Sequence, residues 1–286
     1  SGRTASDPAQ DGGRTVTDTD SGAFADIHSY LVPGVDDGAN DLEDMLTSVR
    51  RMTELGIPKI LTTPHLDGSV TRNDEAIEAR LSEVDEAFAR AAAAVADEFP
   101  EVDFRRGHEV MLDIPDVDFS DPRVRLTGTS FVLIEWPRLH VPPGTTRVLE
   151  RIMNDGYRPI IAHPERYIGI DRKLGVIARW REVGAYLQVN HGSLSGRYGA
   201  AAKGIAARLL RSGWADYLAS DFHAQSQARI CFQEVWQQLE ALKAGESLTY
   251  LCRMNPSRVF TDEVPLPVPP LPPETGLWAH MKGMLP

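Results

Sequence analysis

Asp26-Ile27-His28-Ser29-Tyr30-Leu31-Val32-Pro33-Gly34-Val35-Asp36-Asp37-Gly38 opens the first apolar strand of the chain and packs His and Asp into one short stretch. The same conjunction, a strand-like run ending in a His or an acid, recurs at Pro64-His65, His108-Glu109, Glu135, His163-Pro164-Glu165-Arg166 and Asp221-Phe222-His223. A barrel of parallel strands carries its site at the carboxyl ends of many strands. An open doubly wound sheet gathers ligands at a single switch point. Chemistry placed after nearly every strand therefore predicts an α/β barrel.

The rest of the chain supplies the alternation such a barrel needs. Strands are expected at Ala23–His28, Lys59–Thr63, Val102–Arg106, Phe131–Glu135, Arg158–Ala162, Tyr186–Asn190 and Tyr217–Ser220. Between the first two, Leu42, Met45, Leu46, Val49, Met52 and Leu55 recur at helical spacing. Asn40 or Asp41 is the N-cap of that helix and Gly56 its stop. A long helix is expected from about Asn73, with Ile77, Leu81, Val84, Phe88 and Val95 on one face. Further helices are expected near 144–156, 171–183, 199–212 and 227–243. Strands alternating with helices imply parallel pairing and right-handed crossovers.

The ends differ in composition. Residues 1–22 hold almost no large apolar side chain and are expected to form a disordered tail. Residues 23–262 form the barrel domain, and 263–286 form a Pro-rich tail that favours polyproline II. Leu277, Trp278 and Met281 in that tail could dock on the barrel or on a partner.

With 286 residues, 42% hydrophobic and 25% charged, the chain has the make-up of a soluble globular protein. No run approaches the ~18 apolar residues that a membrane span requires, so no membrane insertion is expected. The N-terminus lacks the basic-then-apolar layout of a signal peptide, which implies the cytoplasm. A net charge of -11 argues against a nucleic-acid partner, which would demand Lys and Arg to replace counterions. Nothing in the sequence bars a homo-oligomer. The two cysteines, Cys231 and Cys252, form no metal pattern, and a disulfide between them is not expected in a cytosolic protein.

Counting strand-end positions alone gives four imidazoles (His28, His65, His163 and His223) and four carboxylates (Asp37, Glu109, Glu135 and Asp221). Imidazole nitrogen and carboxylate oxygen are ligands for Zn²⁺, Mn²⁺ and Fe²⁺. The set is too large for one ion and suits two or three. Without cations, the carboxylates crowded into one mouth would repel each other. Arg166 and Arg229 bring planar donors suited to phosphate oxygens. His140 and His280 read as ordinary surface or core residues. Cys252-Arg-Met-Asn-Pro-Ser-Arg258 has the C-x5-R spacing of cysteine-dependent phosphatases. It contains no glycine, and Pro256 removes an amide donor, so the match is read as fortuitous.

Several segments together resemble the PHP-type (polymerase and histidinol phosphatase) protein tyrosine phosphatases of bacterial capsule and exopolysaccharide systems. They are Asp26 through Gly38, Thr63-Pro64-His65, Gly107-His108-Glu109-Val110, Leu133 through Pro137, Ile161 through Arg166, Gln188-Val189-Asn190 and Ser220 through His223. The resemblance implies a distorted seven-stranded (β/α)7 barrel of PHP type. It also implies two or three divalent ions, manganese first, with iron or zinc as alternatives. The first ion would take His28, Glu109 and Asp221, the second Glu109, Glu135 and His163, and the third Asp37, His65 and His223. Arg166 and Arg229 would bind phosphate, and a metal-bound hydroxide would attack phosphotyrosine on a partner tyrosine autokinase.

One position departs from the family pattern. The family opens with His-x-His, and here Tyr30 stands in place of the second His. A neutral phenol is a poor ligand for Mn²⁺ or Zn²⁺, which puts the first ion in question. Two other functions are therefore weighed against the phosphotyrosine reading: a phosphoesterase of small metabolites, and a binding or regulatory module weakened in catalysis by Tyr30.

Overall fold

The computed structural model describes residues 23–170, 173–224 and 230–272. Every strand pairing in it is parallel, and the strands lie in three sheets. The first contains β1 (Ala25–Asp26), β3 (Lys59–Thr62) and β5 (Asp103–Arg106), in that order. The second has six strands: β10 (Tyr217–Ala219), β9 (Tyr186–Asn190), β8 (Arg158–Ala162), β7 (Phe131–Glu135), β6 (Glu109–Met111) and β4 (His65–Asp67). The third pairs β11 (Phe222–His223) with β2 (Ser29–Tyr30).

The alternating α/β architecture with parallel strands is as expected from the sequence, but the sheets do not close into one seven-stranded barrel. The reason is local. Four expected strands are each interrupted near their carboxyl ends, at His28, at Thr63-Pro64, at Gly107-His108 and at Ser220-Asp221. Pro64 has no N–H to give to a ladder. A Cβ on Gly107 would lie 2.8 Å from Leu126 Cα, so only glycine fits this approach. Asp221 takes a left-handed φ of 49°, which breaks extended pairing. Hydrogen bonds still bridge the breaks, from Thr63 N to Ser29 O at 2.7 Å and from Asp221 N to His28 O at 2.9 Å.

Side chains alternate across the strands by their period of two. Ala25, Ile27, Leu61, Phe131, Leu133, Ile160, Ala162, Tyr217 and Ala219 form one buried cluster, closed off by Leu126, Val259 and Phe260. The intervening Val132, Ile134, Ile161, Leu187, Val189 and Leu218 face the helices in the larger core. Helix α1 (Leu42–Glu54) is capped by Asp41, whose side chain accepts from Asp44 N. It ends at Gly56, with φ 78°. Helix α2 (Asp74–Glu98) is capped by Asn73 and buries Leu81, Val84, Ala87, Ala91 and Val95. Helices α3 (Thr145–Asn154), α4 (Gly175–Glu182), α6 (Gly199–Arg211) and α7 (Phe232–Ala241) occupy the expected intervals. A short α5 (His191–Ser195) and the run from α8 (Gly245–Thr249) through Tyr250–Met254 to α9 (Asn255–Val259) were not expected.

The N-terminal tail and residues 273–286 lie outside the described residues. The described start of the Pro-rich segment packs against the helices. Val268 and Leu271 are buried, and Leu271 N donates to Leu210 O at 3.2 Å. Asn255 receives Leu266 N at 2.8 Å and donates to Leu266 O at 2.9 Å. Among the described residues no helix is long and apolar enough to cross a membrane.

Candidate active site

The strand interruptions turn the chain so that side chains from β2, β4, β6, β7, β9 and β11 converge. Glu109 is at the centre, 1% exposed. Its Oε1 lies 3.0 Å from His163 Nε2 and 3.4 Å from His28 Nε2, and its Oε2 lies 3.2 Å from His65 Nδ1. Glu135 adds a second carboxylate, with Oε1 3.9 Å from His65 Nδ1 and Oε2 4.0 Å from His163 Nε2. Towards solvent, Asp37 Oδ1 lies 3.6 Å from His65 Nε2 and 3.5 Å from His223 Nε2. Asp221 Oδ1 faces His28 Nε2 at 3.7 Å and His223 Nδ1 at 3.8 Å. All eight residues singled out as strand-end ligands are thus brought into one cluster.

The loop that carries Asp37 depends on a close approach. A Cβ on Gly38 would sit 2.3 Å from Tyr30 O, so only glycine lets the loop fold back over β2. Asp36 braces it, accepting from Gly38 N at 2.9 Å and from His65 N at 3.2 Å. His163 has a left-handed φ of 35°, as Asp221 does at 49°. Non-glycine residues in this region store strain, which concentrates at functional sites.

Arg166 follows His163 in a short turn and donates from Nη1 to Asp221 Oδ2 at 2.6 Å. Its guanidinium lies 4.2 Å from the centroid of the Tyr198 ring, within cation–π range. Arg229 lies outside the described residues. His108, next to Glu109 in sequence, is fully buried with Nδ1 3.0 Å from Arg123 O. Burial pushes its pKa down to about 3. His140 is exposed, and His280 lies outside the described residues.

The electrostatics are those of charged groups packed against one another. Burial would raise Glu109, but the imidazoles of His28, His163 and His65 hold it well below the usual carboxylate range. Burial opposes the charged form of His28, yet Glu109 and Asp221 push it up to about 10. Against the same opposition from burial, His65 rises to about 9 through its hydrogen bond to Glu109 and the charges of Glu109 and Glu135. Burial, with the charge of Glu109 beside it, raises Glu135 to about 7. Carboxylates this close need compensating cations, and imidazole with carboxylate is the donor set of divalent metals. Three sets each bring their ligand atoms within 4.8 Å of one another: His28, Glu109 and His163; Asp37, His65 and His223; and His65, Glu109 and Glu135.

Four further residues support the cluster, to none of which the sequence reading assigned a role, although Glu165, Gln188 and Asn190 lie in the motifs that carry the family resemblance. Gln188 Oε1 accepts from His28 Nδ1 at 2.8 Å, and Gln188 Nε2 donates to Asn190 Oδ1 at 2.8 Å. Asn190 Nδ2 donates to Asp221 Oδ2 at 2.6 Å. Buried Glu165 accepts from Asn190 N at 2.9 Å and from Ser193 Oγ at 2.6 Å. Tyr198 lies against Arg166. The available signal for Gln188 and Asn190 is polarity at alternate positions of an otherwise apolar strand.

The C-x5-R segment forms no phosphate loop. Cys252 is buried in a helical turn, and neither Cys231 nor Cys252 is in a disulfide.

Comparison with known proteins agrees with this geometry. The family model for capsular polysaccharide synthesis, CpsB/CapC, matches residues 24–261. Tyrosine-protein phosphatase YwqE of Bacillus subtilis (strain 168) is 29% identical over 249 residues, covering 86% of this chain and 95% of that relative. A chain from crystal structures of YwqE from Bacillus subtilis and CpsB from Streptococcus pneumoniae, described as unique metal-dependent tyrosine phosphatases, matches with a TM-score of 0.69 and 26% identity. The match covers 88% of this chain and 100% of that one. An amidohydrolase from Mycoplasma synoviae shares the fold, with a TM-score of 0.52 at 12% identity over 92% of this chain and 94% of its own. This chain belongs to the CpsB/CapC family of capsular polysaccharide synthesis proteins.

Proposed function

We propose that this protein is a metal-dependent protein tyrosine phosphatase, acting in the cytoplasm on a phosphotyrosine-bearing bacterial kinase that controls capsule or exopolysaccharide synthesis. The observation that carries this reading is the convergence of four imidazoles and four carboxylates, Glu109 at their centre and Arg166 at their edge. The relatives named as tyrosine phosphatases support it over most of the chain's length.

His28, Asp37, His65, Glu109, Glu135, His163, Asp221 and His223 would hold two or three divalent ions, manganese first. Bound there, the ions would supply Lewis acidity for the phosphoryl oxygens and lower the pKa of a water molecule. Glu109, with imidazoles beside both oxygens, would contribute its carboxylate to this ligand set. Arg166 would offer its guanidinium donors to the phosphoryl oxygens, with Tyr198 and Asp221 fixing its orientation. Arg229 is proposed for the same role. A tyrosyl leaving group has a pKa of about 10 and departs without a strong general acid, which suits a site whose acids are otherwise engaged.

The fold that presents this site is proposed to be a distorted (β/α)7 barrel of PHP type. Its support is the cyclic order of neighbours. β1, β3 and β5 are adjacent, the upper segments continue from β4 through β10, and β11 returns to β2. Two buried cysteines outside any disulfide suit a reducing compartment.

The substrate reading is tested by offering the manganese-loaded full chain phosphotyrosyl and phosphoseryl peptides alongside a small aliphatic phosphate ester. Preference for the phosphotyrosyl peptide is expected. A strong preference for the aliphatic ester would replace the kinase substrate with a metabolite.

A further inference from the structure

Tyr30 lies inside the cluster, 1% exposed. Its hydroxyl is 2.9 Å from His28 Nε2 and donates to Glu109 Oε2. The other nitrogen of His28 is engaged by Gln188. Both His28 nitrogens and one Glu109 oxygen are therefore already taken by uncharged side chains. Asp221 is the remaining acid on this side. Its Oδ2 carries Arg166 and Asn190, each at 2.6 Å, which leaves only Oδ1 towards His28.

The phenol ring occupies the space beside these atoms. Its centroid lies 4.0 Å from that of His223, nearly parallel at 29°, and 4.6 Å from that of His65. A cation among His28, Glu109 and Asp221 would have to break the His28 Nε2 contact with the Tyr30 oxygen, which the phenol accepts while its own proton goes to Glu109. It would also have to displace a hydrogen bond buried from water, and leaving such a donor unpaired is costly. In the other two groups the Tyr30 hydroxyl meets only Glu109 Oε2, and Glu109 Oε1 stays towards His163. Asp37, His65 and His223 face one another across Oδ1 and the two Nε2 atoms, and Glu135 faces Glu109 with His163 alongside.

We propose that Tyr30 closes the corner formed by His28, Glu109 and Asp221 to metal. The chain then carries two divalent ions, one at Asp37, His65 and His223 and one beside Glu109 and Glu135, and His28 acts as a hydrogen-bond partner instead of a ligand. This rests on the metal-centre reading above and narrows it to the two-ion case, in which His28 leaves the ligand set. Tyr30 and His28 become positioning residues that hold Glu109 from one side while the ions hold it from the other.

The test is elemental analysis of the full chain after saturation with Mn²⁺ and removal of free metal, for wild type, Tyr30→Phe and Tyr30→His. Two ions per chain are expected in wild type and in Tyr30→Phe, where the ring still fills the corner. Three are expected in Tyr30→His. Three ions in wild type, or fewer than two, would overturn the proposal, as would a folded Tyr30→His that gains none. Should Tyr30→His fail to fold, wild type still decides by its count and by a second measurement on iron-loaded protein. A visible ferric–phenolate absorption band that disappears in Tyr30→Phe would make Tyr30 a ligand and overturn the closure, whereas no such band supports it. Phosphotyrosine turnover by the same wild-type sample separates the two levels. Two ions without turnover would remove the phosphatase reading and leave this inference standing. Three ions with turnover would do the reverse.

Discussion

Arg166 Nη1 donates to Asp221 Oδ2 at 2.6 Å, and Asp221 is held for this contact in a left-handed backbone conformation with φ 49°. The pair fixes Arg166 at the rim of the cluster, and Asn190 shares the same carboxylate oxygen. Arg166→Ala is therefore expected to lower kcat/KM for a phosphotyrosyl peptide about 10²- to 10³-fold, the scale of losing a preorganised charged donor. Arg166→Lys should recover only part of this, because an ammonium lacks the planar fork. Steady-state kinetics check both, and an Arg166→Ala enzyme as efficient as wild type would remove Arg166 from phosphate binding.

Tyr198 acts through Arg166. With the guanidinium 4.2 Å from its ring centroid, the ring limits where that charge can sit. Tyr198→Ala should raise KM roughly 5- to 10-fold, in line with a cation–π contact of about 1 kcal/mol. Tyr198→Phe keeps the ring face and should stay within about 2-fold of wild type. Equal loss in both variants would point to the hydroxyl and not to the ring.

Cys252 is buried, and burial pushes its thiol well above the ordinary range, so no thiolate is available for attack. Cys252→Ser should keep kcat within about 3-fold of wild type while costing ~1–2 kcal/mol of stability for burying a hydroxyl. Complete loss of turnover in a folded Cys252→Ser protein would restore the cysteine mechanism that the C-x5-R spacing suggests.

Asn255 ties the Pro-rich segment to the domain by bonding both backbone groups of Leu266 and also Asp216 O at 3.0 Å. Asn255→Ala should lower stability by ~2–3 kcal/mol, because buried partners lose their hydrogen bonds. Urea unfolding reads the change. Protease cleavage after Thr261 should quicken in the same variant, and an unaltered midpoint and cleavage rate would show that the segment is held by Val268 and Leu271 alone.

Asp216 gives a pH dependence remote from the cluster. Burial raises its carboxyl to about 6, although Arg181 Nη1 and Leu187 N both donate to it at 2.8 Å. The folded value exceeds the unfolded one, so the folded protein binds more protons between pH of about 4 and about 6. Stability from this group is present below that window and is lost as pH rises through it. Asp216→Asn should lack that slope, gaining up to about 3 kcal/mol relative to wild type between pH values of about 4 and about 7. Parallel stability curves would contradict the shift.

What could be read from the sequence follows from periodicity and residue chemistry. The apolar spacing of Met45, Val49 and Met52 located α1, and Asp41 and Gly56 bounded it. His and acids at strand ends located all eight cluster residues. The strand breaks were less visible, because Pro64 and Asp221 act through backbone geometry that no apolar pattern records. Helix α5 escaped because five residues carry no helical period, and α9 because Pro256 at its start reads as a loop. Tyr30 could be seen as a departure, but its bond to Glu109 depends on bringing β2 beside β6, which only the folded chain displays.

The most direct test of the central claim is turnover of a phosphotyrosyl peptide by the full chain before chelation, after exhaustive chelation, and after return of Mn²⁺. The metal-centre account predicts activity that disappears on chelation and returns with Mn²⁺, with Cys252→Ser behaving in the same way. Turnover that survives complete metal removal would contradict it.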